Sequence, residues 1–116
     1  NSWPRMGEDY VPDGLWSLAP AWLNLINNPI TVQFAHRWLA AVVAAVLLWA
    51  AFDVWRAGRR PAAVALAAML CIQFLLGVLT ILQGVPLHLG VAHQAGAALL
   101  VCALVWAGHA SARGGR

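Results

Sequence analysis

Three long apolar stretches, separated by short polar breaks, set the pattern of this chain. The first, 30–56, holds an unbroken apolar run over 38–52 and ends in a turn carrying Arg56, Gly58, Arg59, Arg60 and Pro61. The second, 61–83, contains no charged residue and is broken by Gly84, Val85 and Pro86. The third, 89–110, runs towards Arg113 and Arg116. About 20 apolar residues in a helix span a hydrocarbon core of roughly 30 Å. The pattern therefore predicts three transmembrane helices, with Pro29 suited to the first turn of the first.

Residues 1–29 are a different material. Pro4, Pro12, Pro20 and Pro29, with Gly7 and Gly14, punctuate a stretch that holds Glu8, Asp9 and Asp13. Such punctuation reads as loop. Trp3, Trp16 and Trp22 lie within it, and amphipathic indoles favour the headgroup zone of a bilayer. The expectation is an interfacial loop packed at the bundle mouth, with a short helix around 15–24.

Composition agrees with a membrane protein. Of 116 residues, 62% are hydrophobic and only 9% charged, and mean hydropathy is +0.72. Soluble domains carry about 25% charged residues, so polar groups cannot cover this surface and membrane lipid must be the chief partner. The net charge of +3 comes from arginines that form no dense basic patch, which speaks against nucleic-acid binding. Cys71 and Cys102 fall in apolar runs without metal-like spacing and read as small hydrophobes. No nucleophile stands beside a base, so hydrolase chemistry has no footing.

Arg56, Arg59, Arg60, Arg113 and Arg116 share one end of the three stretches, while Glu8, Asp9 and Asp13 share the other. The positive-inside tendency makes the arginine end cytoplasmic and places the initial loop and an outer turn at 84–88 outside. Asp53 is expected to pair with Arg56, His88 to sit solvated in the outer turn, and His109 to meet headgroups. The opening residues lack an initiator Met and a signal-peptide pattern and read as mid-loop. Three helices also leave one face unpartnered, so a further helix is expected upstream, completing a four-helix unit.

The chemistry centres on His36 and His93. Each lies one to two turns inside an apolar segment entered from the same side, so the two imidazoles are expected near the outer leaflet, within about one turn in depth. An ionisable residue at membrane depth is a functional candidate by default. Two histidines make a poor zinc site, which wants three or four protein ligands, but they suit the two axial positions of a haem in a bundle. The His93 face continues with Gly96, Ala97 and Leu100, and the His36 face with Ala40, Val43 and Ala44. Such small residues leave room for a porphyrin; helix packing alone is the plainer explanation. Gln73, Gly77, Thr80 and Gly84 form a polar and small stripe expected to face inward. Gln33 and Gln94 are candidate hydrogen-bond partners for ring nitrogens or cofactor edges. Arg37 is a candidate propionate partner, with interfacial anchoring the alternative.

The motifs also carry a resemblance. Asn1-Ser2-Trp3-Pro4-Arg5-Met6, Val11-Pro12-Asp13-Gly14-Leu15 and Val32-Gln33-Phe34-Ala35-His36-Arg37 are followed by Gly77-Val78-Leu79-Thr80, Gly84-Val85-Pro86-Leu87 and Ala92-His93-Gln94-Ala95-Gly96-Ala97. In this order the chain resembles the C-terminal half of the heme A synthase family. The resemblance implies an all-α integral membrane fold of eight helices in two four-helix halves, with this chain supplying three helices of one haem-binding bundle. It implies oxidation of a haem O methyl to the formyl of haem A for cytochrome oxidase assembly. His36 and His93 match the pair taken to ligate haem b, the metal being its iron. Catalytic residues and substrate haem O are expected in the missing N-terminal half, so this piece alone would not be catalytic. It further implies the bacterial inner membrane, with haem O synthase, oxidase assembly factors and a second copy of the chain as candidate partners.

Two other classes share some of these features. A bis-histidine cytochrome b would have the same helices and ligands without oxygen chemistry. A non-redox membrane module would use the histidines for packing or proton relay. The ordered loop motifs, above all Asn1 to Met6 and Gly84 to Leu87, separate the family resemblance from the cytochrome b, and a haem-free purified protein would favour the non-redox module.

Overall fold

The computed structural model describes residues 2–112 and is helical throughout its regular parts. After a 3-10 turn at Ala21–Leu23 come α1 (Asn24–Asn27), α2 (Pro29–Arg56), α3 (Arg60–Leu82) and α4 (Leu87–Ala112). The last three are long and apolar enough to cross a membrane, which makes this a multi-pass membrane protein. Asn1, Arg113 and Arg116 lie outside the described residues, and so does their part in the charge argument.

The chain forms two units, Asn1–Val43 and Ala44–Arg116, divided within α2. In the first, three polar side chains gather the loop around the start of α2. Asn28 caps that helix: its Oδ1 accepts from the Ile30 N–H at 3.0 Å, and Pro29 follows at the first position, where its missing N–H costs nothing. The Asn28 amide donates to the Gly14 carbonyl at 2.8 Å and to Asn24 Oδ1 at 3.0 Å. Thr31 donates to the Leu15 carbonyl. Asn24, Asn28 and Thr31 are all buried, so these bonds replace water that the loop carbonyls have lost.

The short helix begins after Pro20 rather than near residue 15. Proline biases the preceding residue towards extended backbone and offers no N–H, so a helix cannot continue through Ala19 and Pro20. Trp16 and Trp22 are exposed instead of packed, 63% and 58% respectively, as suits indoles that meet headgroups.

In the second unit Leu47, Ala51 and Val54 of α2 share a core with Leu66 and Leu70 of α3 and Ala103 and Ala107 of α4. Alanine on α3 and α4 lets backbones approach where lipid offers no hydrophobic drive. The expected Asp53–Arg56 pair does not form among the described residues. Asp53 Oδ2 accepts the Trp49 indole N–H at 2.9 Å, one turn back, and Arg56 lies over the Phe52 ring at 5.8 Å. Arg60 similarly lies over Trp55, 5.3 Å from its centroid.

The turn between α3 and α4 is tighter than 84–88. Gly84 and Val85 both take left-handed backbone, φ +76° and +60°, and the Val85 N–H closes on the Thr80 carbonyl at 2.8 Å. The chain reverses within those residues, and the Gly90 N–H already reaches the Pro86 carbonyl at 3.0 Å. α4 consequently starts at Leu87, which puts His88 in its first turn, exposed, rather than in a loop.

Candidate functional site

The candidate residues fall into two groups. In the first unit Gln33, His36 and Arg37 follow one another along the second and third turns of α2. His36 is exposed, and so are Ala40 and Val43 along the same face. Gln33 and Arg37 are half-buried and share an open hollow of about 190 Å³ with Ser2, Met6 and Pro12.

Arg37 binds main-chain oxygens of the loop before it. Its Nη2 donates to the Ser2 carbonyl at 2.8 Å, and Nη1 to the Arg5 carbonyl at 3.0 Å and the Pro4 carbonyl at 3.4 Å. The guanidinium also lies 5.6 Å from the Trp3 ring centroid. Neutral oxygens and an aromatic face thus surround the cation. The loop is folded to meet it: Ser2 Oγ donates to the Arg5 carbonyl and accepts from the Gly7 N–H, both at 2.8 Å. Among the described residues the buried Arg37 Nε has no hydrogen-bond partner, so not all five donors are committed.

The second group lies where α3 meets α4. His93 is half-buried about two turns into α4, and its ring rests on the backbone of Gly77. A Cβ on Gly77 would come within 2.9 Å of His93 Cε1, closer than real contacts allow. The Gln73 Nε2 donates to the His93 backbone carbonyl at 2.9 Å. Its Oε1 is buried over Gly96, where a Cβ would collide with it. Gly96 is buried, Ala97 half-buried and Gln94 exposed.

Of the inward stripe, Gln73 and Gly77 do meet α4. Thr80 is buried with its hydroxyl on the Leu76 carbonyl at 2.6 Å, and Gly84 belongs to the turn. The sequence places Gln73 on the inward stripe but not its main-chain contact; the available signal is the lone amide between Pro61 and Leu82. Among the described residues no three of His, Cys, Asp and Glu converge as a metal cage, and Cys71 and Cys102 are free and exposed.

Known proteins give these features a context. A heme A synthase of Rhizorhabdus wittichii is 46% identical over 112 residues, covering 93% of this chain and 31% of the relative. That of Rhodospirillum centenum is 44% identical over 113 residues, covering 94% and 30%. That of Parvibaculum lavamentivorans is 38% identical over 117 residues, covering 97% and 33%. The chain thus spans about a third of the length of these relatives. No solved structure matches it. The family model of the cytochrome oxidase assembly protein, COX15-CtaA, matches residues 1–105, from the loop that Arg37 holds to beyond the Gln73–His93 contact. Loop, helices and candidate site alike fall within that match, and the chain belongs to the cytochrome oxidase assembly protein family.

Proposed function

We propose that this chain is the haem-cofactor part of a heme A synthase, a bacterial inner-membrane oxidoreductase that converts a haem O methyl to the formyl of haem A. His36 and His93 would hold a haem b through its iron, near the outer leaflet, with the arginine turn at Arg56–Arg60 facing the cytoplasm. The observation that carries the reading is His93: its ring lies on a glycine that leaves it space, and its backbone is held by Gln73.

The residues suit such a group. Imidazole nitrogens are common axial donors to haem iron. The exposed face of His36, Ala40 and Val43 leaves α2 uncovered along the histidine's own side. When bound, haem b supplies one-electron transfer. The chain's own side chains bind and orient it: Gln33 and Gln94 offer amides to its edge, and Ala97 keeps the His93 face small, while the space over Gly96 is taken by the Gln73 amide. Arg37 retains uncommitted N–H donors for a propionate while it holds the loop. The oxidation and the substrate haem O belong to the rest of the protein.

A reduced-minus-oxidised visible spectrum of the full-length protein tests this, with His36→Ala and His93→Ala beside it. A low-spin b-type signal lost in both variants is expected. A signal unchanged in both would overturn the ligand assignment.

A further inference from the structure

We infer that Gln73 is the positioning residue of His93, fixing the attitude of its imidazole through the main chain. The inference rests on the ligand role proposed for His93.

Gln73 is an amide in a helix whose other residues from Pro61 to Leu82 are almost wholly apolar. An amide at membrane depth is retained at a cost unless its groups are paired. Its donor end is paired, with the His93 carbonyl at 2.9 Å. Its acceptor end is not: Oε1 is buried and has no hydrogen-bond partner among the described residues. An unmatched buried acceptor costs on the order of 1–3 kcal/mol, so the arrangement is not the one that best satisfies Gln73. It places Nε2 on one particular carbonyl.

That carbonyl belongs to the histidine itself. In a continuous helix it also serves the intrahelical ladder, so the Gln73 N–H is an added bond that ties this turn of α4 to α3. Two glycines make the tie possible. Gly96 leaves room for the Gln73 amide, and Gly77, one helical turn beyond Gln73 on α3, leaves room for the His93 ring. Gln73 and Gly77 therefore grip the same residue, one by its backbone and the other by contact with its ring. With its backbone tied to α3 and its ring against Gly77, His93 has little freedom to shift its imidazole. The orientation of an axial imidazole and its outer hydrogen bonds are levers on haem affinity and electronic state.

Gln73→Leu in the full-length haem-loaded protein removes the bond while keeping bulk. Gly96→Ala displaces the amide while keeping Gln73, and it carries the test if the leucine variant does not fold. Both variants are expected to keep a low-spin haem with altered electron-paramagnetic-resonance g values and to release haem to an acceptor protein about 10-fold faster. A merely structural role would alter thermal stability and leave the g values alone. Wild-type g values and release rate in both variants would overturn the inference. A haem signal that survives His93→Ala would instead remove the ligand reading on which it stands, so the two failures are distinguishable.

Discussion

The imidazole of His93 lies against Gly77 so closely that there is no room for a methyl group between them. Gly77→Ala must therefore move either the ring or the helix. Overpacking of this kind costs about 1–3 kcal/mol, and the ring edge is the softer of the two. The expected outcome is a folded protein with much reduced haem content, measured as the haem-to-protein absorbance ratio after purification. Undiminished haem content would show that the ring can leave Gly77 without consequence for binding.

Arg37 governs the loop before it. Substitution by glutamine shortens the side chain and removes the charge that three carbonyl oxygens share. Hydrogen bonds to charged groups are worth about 1.5–3 kcal/mol, less when partly exposed as here, so a loss of about 1 kcal/mol is expected. The loss should be local. Hydrogen exchange at Ser2 to Met6 is expected to accelerate while the amides of α3 keep their protection; uniform acceleration along the chain would contradict a local latch.

Asn28 is a larger liability. Replacement by alanine removes the α2 cap, worth about 1 kcal/mol, and leaves the buried donors and acceptors around Gly14, Leu15 and Asn24 unmatched. A combined destabilisation of about 2–4 kcal/mol is expected. Thermal denaturation in detergent should show it, and Asn28→Asp should recover part of it, because the carboxylate keeps the cap. Equal stability of the alanine variant and the parent would deny Asn28 this role.

The membrane helices were legible because charge and proline leave so little doubt where lipid-compatible sequence stops. Their ends were less so. Val85 gives no residue-level hint of left-handed backbone, so the sequence predicts a longer α3–α4 turn than the structure has and puts His88 outside the helix. Partner choice was harder still. Periodicity put Gln73 and Gly77 on one face of α3, but which residue of α4 stands opposite depends on the relative slide of two helices, which neither helix encodes alone. Asp53 does not pair with Arg56 for a related reason: it takes the indole N–H of Trp49 one turn back, while Arg56 lies over the Phe52 ring, and both choices depend on the folded path rather than on charge.

Arg37 takes hold of the loop by oxygens of the main chain. Every residue has such an oxygen, so what the guanidinium recognises is the course of the backbone and not the side chains strung along it. Positions 4 and 5 can change identity with little effect on the latch, whereas insertion or deletion of a single residue there would carry the carbonyls out of reach. The segment is thus tolerant of substitution and intolerant of altered length.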